Sequence, residues 1–160
     1  MMFLSLQNCS AIVTLSESTT WTYTNSIGGS GTFYDTGGAG GNYYNNEDNY
    51  WQINCASGSI VTVVLNYVSE SGYDYFYFYN GASTGNNFLF VFENVFVYEF
   101  LIIIIFLRTN ICIASQIGTS FYGSGSKTIT SNSNQMLMRF RTDYSVVYSG
   151  FTATYYWLIS

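Results

Sequence analysis

The sequence predicts an all-β fold, an antiparallel β-sandwich, and three observations predict it. Tyr, Phe, Thr, Val and Ile are abundant, and 20% of the residues are aromatic; such side chains suit a pleated, half-buried surface. Several short stretches alternate between two side-chain classes, with Gly, Asn, Asp and Ser between them. No window carries Ala, Leu, Glu and Lys at helical spacing, so no amphipathic helix is expected. The 160 residues suffice for one domain with a core and are too few for two.

Residues 1–30 are rich in Ser and Thr and read as an N-terminal extension, with strands near Ile12–Leu15 and Thr20–Thr24. Gly31 to Tyr43 reads as an irregular, glycine-rich surface loop whose glycines permit positive φ. A phosphate-binding reading is disfavoured, because no Lys-Ser/Thr pair ends the loop and no helix follows it. A strand begins at Trp51-Gln52-Ile53. In Ser59–Val68 the residues Val61, Val63, Leu65 and Tyr67 share one face. From Tyr73 to Tyr79, Phe76 and Phe78 share a face with Asp74, while Tyr73, Tyr75, Tyr77 and Tyr79 line the other. That tyrosine stripe reads as strand packing ahead of a glycan or protein contact face. Asn80-Gly81 supplies a turn. Later, Met136, Met138 and Phe140 alternate with Leu137, Arg139 and Arg141. Phe151, Ala153, Tyr155 and Trp157 then share a face opposite Thr152, Thr154 and Tyr156.

One segment breaks the pattern. Phe88–Ile113 is nearly continuous apolar sequence. Phe88–Leu107 is long enough to span a bilayer, but Glu93 and Glu99 lie inside it, and carboxylates in lipid are costly. The stretch 88–110 therefore reads as an insertion. Its Phe, Ile, Leu and Asn bias is that of translated AT-rich non-coding DNA, so a retained intron or gene-model error is expected ahead of a membrane anchor.

Composition excludes whole classes of function. The formal charge is −5, and Arg108, Lys127, Arg139 and Arg141 are the basic residues, so no nucleic-acid footprint can form. The absence of histidine removes Ser-His and Cys-His nucleophiles and histidine-ligated zinc. Cys9, Cys55 and Cys112 include no C-x-x-C pair; one disulfide, such as Cys9 to Cys55, is compatible with the count. The residues Met1 to Leu6 lack a basic n-region and an adequate apolar core, which makes a poor signal peptide. Asn8-Cys9-Ser10 fits the glycosylation sequon.

The chemistry concentrates in two loops. Glu70 precedes Tyr73-Asp74-Tyr75, and Asp143-Tyr144-Ser145 precedes Gly150-Phe151. Three carboxylates at strand ends repel one another unless something compensates, and a hard cation with oxygen ligands is the usual remedy. A general acid–base pair is the weaker alternative, because no nucleophile accompanies it.

These loops belong to a longer ordered set. Phe33-Tyr34-Asp35-Thr36-Gly37-Gly38 comes first, then Gly41 through Glu47, and then Trp51-Gln52-Ile53. Glu70-x-x-Tyr73-Asp74-Tyr75 and Tyr79-Asn80-Gly81 follow. Ser131 to Asn134, Phe140 to Ser145 and Gly150 to Ala153 close it. Across residues 31–157, with 88–110 set aside, the chain resembles a CUB domain, most closely the short CUB-like domains of secreted bacterial and protist proteins. The resemblance implies a compact jelly-roll sandwich. It also implies a calcium site built from Tyr43, Glu70, Asp74, Asp143 and Ser145; Tyr43 is preferred to Tyr44 by its separation from Trp51. The chain departs from the family at Ser71 and Tyr122, where many members carry a disulfide, and at Asn49, where another would end. Val146 stands where calcium-binding members often have asparagine.

The expected function is a non-catalytic, extracellular or secreted binding and adhesion domain, stabilised by calcium. Its expected partner is a glycan or a protein presenting lysine or arginine, with no nucleic acid and no membrane unless 88–107 is an anchor. The alternatives are an accessory fragment of a secreted protease or hydrolase, and a membrane-tethered surface protein.

Overall fold

The computed structural model describes residues 8–14, 20–26, 30–81 and 115–159, of which 8–14, 20–26 and 159 are described by their backbone alone. The stretch 88–110, Cys112, residues 1–6 and the side chains of the Asn8-Cys9-Ser10 sequon lie outside the described residues.

Where the chain alternates, it forms strands, because a pleated backbone sends successive side chains to opposite faces. The strands are β1 (Asn8–Thr14), β2 (Thr20–Ser26), β3 (Ser30–Tyr34), β4 (Asp48–Asn54) and β5 (Ser59–Val68). They continue with β6 (Tyr75–Asn80), β7 (Ser124–Thr130), β8 (Gln135–Arg141) and β9 (Gly150–Ile159). Two antiparallel sheets result, ordered β2-β1-β4-β8-β6 and β3-β9-β5-β7. The described residues contain no helix. β1 and β2 fall within residues 1–30; β2 pairs with β1, and β1 pairs with β4, with Ser10 opposite Asn54.

The core fills the space between the sheets. β5 contributes Val61, Val63, Leu65 and Tyr67; β8 contributes Met136, Met138 and Phe140; β9 contributes Phe151, Ala153, Tyr155 and Trp157. All of these side chains lie on the faces that their alternation indicates. The centre is aromatic: Phe76 stacks on Phe140 with ring centroids 4.3 Å apart, and Trp51 meets Phe151 edge-on at 5.0 Å. Such pairs contribute about 0.5–1.5 kcal/mol beyond area burial.

Cys55 is disulfide-bonded. The partner side chain lies outside the described residues, and the β1–β4 register sets Ser10 opposite Asn54, the residues next to Cys9 and Cys55.

The tyrosine stripe is divided. Tyr75 packs edge-on against Tyr122, Tyr77 lies under the Arg139 guanidinium, and Tyr79 is buried with Leu137 on the outer face of the sheet. Tyr73 belongs to the turn before β6 and is exposed. The stripe is largely packing.

Asp35 ties the two ends of the domain together. Its Oδ2 accepts the Phe151 N–H at 2.6 Å and its Oδ1 accepts the Gly37 N–H at 2.8 Å. Gly150 is required beside it: φ is +68°, and a Cβ there would stand 2.0 Å from Asp35 Oδ2. The register that starts β9 therefore depends on a residue with no side chain.

Candidate metal centre

Three loops meet at one end of the sandwich. Glu70 follows β5 and Asp74 precedes β6, with a tight turn between them. The Asp74 N–H bonds the Glu70 carbonyl at 3.2 Å, Gly72 takes φ +82°, and Ser69 Oγ donates to the Asp74 carbonyl at 3.1 Å. Asp74 is in phase with Phe76 and Phe78, so its side chain points inward and is fully buried. A carboxylate so placed needs partners. Asp74 Oδ2 accepts the Tyr43 hydroxyl at 2.5 Å, and Oδ1 accepts the Asp143 N–H at 2.8 Å.

Tyr43 is equally buried, its ring edge-on to Phe140 at 5.1 Å. Its hydroxyl also accepts the Glu70 N–H at 3.2 Å. Burial, and then the bond to Asp74 and the charge of that residue, push the Tyr43 pKa well above the ordinary phenol value, so it stays a neutral donor.

Asp143 follows β8. Its Oδ1 accepts the Ser145 N–H at 2.8 Å, with Ser145 Oγ at 3.5 Å, and its carbonyl accepts the Asn46 N–H. Thr142 holds the same loop: its Oγ1 donates to the Tyr44 carbonyl and accepts the Glu47 N–H. Val146 then takes φ +50°, a left-handed conformation that is a real outlier for a β-branched residue. Backbone outliers of this kind cluster where a loop is shaped for function.

Carboxylate oxygens of Glu70, Asp74 and Asp143 lie within 4.8 Å of one another. Burial, followed by the charges of Asp143 and Asp74, raises the Glu70 carboxyl above its ordinary value. Glu70 Oε2 is out of solvent with no hydrogen-bond partner among the described residues. No described basic side chain forms an ion pair with the cluster; Arg139 pairs with Asp48. The structure therefore brings together all five residues that the sequence singled out: the three carboxylates as a cluster, Tyr43 beneath it and Ser145 on its rim. The sequence marked Val146 as a departure from the family's asparagine and Thr142 as part of a motif, but not their structural roles, which rest on a backbone angle and on contacts with loop 44–47.

Residues 103–155 match the sequence model of the CUB domain, a match that starts inside the apolar stretch. The two-sheet topology agrees with it. Over those residues the chain is similar to the CUB domain. Solved structures carry the same fold. The full extracellular region of zebrafish Gpr126/Adgrg6 matches over 82% of this chain and 14% of its own, at 19% identity and a TM-score of 0.56. The CUB1-EGF-CUB2 domain of human MASP-1/3 matches over 82% and 42%, at 17% identity and a TM-score of 0.54. The chain thus spans less than half the length of those structures. No protein of curated function matches it. CUB domains are typically non-catalytic binding modules, and no helix among the described residues is long and apolar enough to cross a membrane.

Proposed function

We propose that this CUB-like domain is an extracellular, non-catalytic adhesion module whose acidic loop end holds a calcium ion and forms the recognition surface for a protein or glycan partner. The observation that carries the reading is Glu70 Oε2, buried without a partner inside a cluster of three carboxylates. A buried acceptor with no donor is costly, and burial together with the charges of Asp143 and Asp74 raises the Glu70 carboxyl. A hard divalent cation removes both penalties at once.

Glu70, Asp74, Asp143 and Ser145 supply oxygen donors of the type calcium takes. Tyr43 acts beneath them as a positioning residue, fixing Asp74 through its hydroxyl and Glu70 through the backbone. Bound calcium supplies two positive charges against three carboxylates, which leaves a net negative end that admits a basic protein group or a neutral glycan and disfavours anions. Extracellular placement is supported by the zebrafish neighbour, described as an extracellular region. Both neighbours extend far beyond the matched part, which favours, as a second reading, a module of a larger secreted protein.

The test is thermal unfolding with calcium and with EDTA. A ligand that binds only the folded state stabilises it by about 2.7 kcal/mol at a hundredfold excess over its dissociation constant. Calcium is expected to raise the Tm of the wild type and not of Asp143→Ala. A wild-type Tm indifferent to calcium overturns the reading.

A further inference from the structure

A cleft of about 380 Å³ opens beside the acidic cluster, lined by Ser69, Glu70, Ser71, Gly123, Ser124 and Tyr148. We propose that it is a subsite for a neutral sugar, so that the partner recognised at this end is a glycan. The proposal rests on the reading of the loop end as a recognition surface and names the ligand class.

The cleft has a fixed floor. The Ser69 N–H bonds the Gly123 carbonyl at 2.7 Å, and Ser69 Oγ accepts the Gly123 N–H at 3.1 Å while donating to Asp74. The loops after β5 and before β7 are thereby locked together beneath the opening. Its walls are free to bind: Ser71 and Ser124 are exposed, and their hydroxyls make no side-chain hydrogen bond among the described residues. Gly123 keeps the space open, because φ is +84° and a Cβ there would come within 3.3 Å of Ser71 Oγ.

The lining chemistry selects the ligand. Hydroxyls and one carboxylate bind vicinal hydroxyl groups as donors and acceptors. Tyr148, 42% exposed, offers a ring against which the apolar C–H face of a sugar can stack, while its carbonyl, accepting the Tyr43 N–H at 3.3 Å, anchors its backbone. No basic residue lines the cleft, and Glu70 on its wall repels anions, so phosphate, sulfate and sialic acid are disfavoured. Val68 is the one aliphatic residue of the lining, too little apolar surface to anchor a peptide side chain.

The test uses the full chain with immobilised oligosaccharides ending in mannose, galactose, glucose or N-acetylglucosamine. Sialylated and sulfated oligosaccharides and a lysine-rich peptide serve as comparisons. At least one neutral oligosaccharide is expected to bind. Tyr148→Ala should weaken that binding about three- to tenfold and Tyr148→Phe should leave it nearly unchanged, as expected for stacking. Ser71→Gln, which fills the mouth without adding charge, should abolish it. All three variants should keep the wild-type Tm and calcium response, which shows that they fold. Absence of neutral-sugar binding, preference for the anionic sugars or the peptide, or binding unmoved by Ser71→Gln overturns the proposal. If calcium still raises the Tm in any of those cases, the calcium reading survives it; sugar binding by a protein indifferent to calcium would have the opposite consequence.

Discussion

Two charged sites in this domain are built on opposite principles. On the outer face of the five-stranded sheet, Arg139 grips Asp48 with two bonds of 2.6 Å, and its guanidinium lies over Tyr50 and Tyr77 at about 5.5 Å. Positive charge, negative charge and aromatic cover all come from the chain itself. The side-chain bond to Asp48 raises the Arg139 pKa still further, so the guanidinium stays charged. At the loop end, Glu70, Asp74 and Asp143 gather three negative charges, and no described side chain answers them with a positive one. The first site is complete as folded. The second is organised by backbone N–H groups and a phenol, which orient carboxylates without neutralising them. The contrast separates charge used to hold the sheet from charge held ready for something outside the chain.

The largest expected effect comes from removing the residue that organises the second site. Asp74→Ala leaves the Tyr43 hydroxyl and the Asp143 N–H without their acceptor in a buried setting. A loss of about 3 kcal/mol is expected in chemical denaturation, together with loss of any calcium response. A Tyr43→Phe variant should keep part of the calcium response, because Asp143 N–H still holds Asp74.

The complete site should be less sensitive. Arg139→Ala removes a partly exposed pair and its ring contacts, so about 1 kcal/mol is expected, with the calcium response of the domain unchanged. A calcium response that weakened with Arg139→Ala would show that the two sites are coupled and break the comparison.

A smaller effect follows from pH. Glu70, Asp35 and Glu47 all have carboxyls raised above their ordinary values, in each case by burial first. A raised acid keeps its proton longer in the folded than in the unfolded state. Its contribution to stability is therefore present below the unfolded value, near 4.5 for glutamate, and is lost as pH rises through the folded value. Without calcium, the Tm should fall as pH is raised from about that point towards neutrality. With calcium the fall should be smaller, because the ion replaces the proton at Glu70, while Asp35 and Glu47 keep their share. Parallel curves with and without calcium would remove Glu70 from the site.

The smallest effect is expected from the largest deletion. The Asn80 N–H bonds the Ser115 carbonyl at 2.8 Å, so the chain leaves β6 and returns at one place. We propose that 88–110 is an insertion dispensable to the sandwich. Its removal should leave the calcium-dependent Tm rise intact, as circular dichroism melting would record. Failure of the shortened chain to fold would make the segment part of the domain.

Much of this was written in local pattern. The inward faces of β5, β8 and β9 follow from alternation, since a strand's two faces depend only on sequence parity. Asp74 could likewise be placed on the face of Phe76 and Phe78. The acidic residues were visible as types in loops, and the family resemblance grouped them. What parity could not supply was proximity across the sequence. That β1 pairs with β4, that Tyr43 lies under Asp74, and that Asp35 reaches Phe151 are contacts between residues far apart in the chain, decided by how the two sheets pack. The cleft is further from the sequence still. Ser71 stood out only as a missing disulfide position, Gly123 and Tyr148 not at all, and only the docking of three loops makes them neighbours. The sequence alone determined which residues could face inward and which chemistry was available. The tertiary structure decided which carboxylates share a site, and which one is left without a partner, because burial and hydrogen bonding depend on the whole fold and not on any one strand.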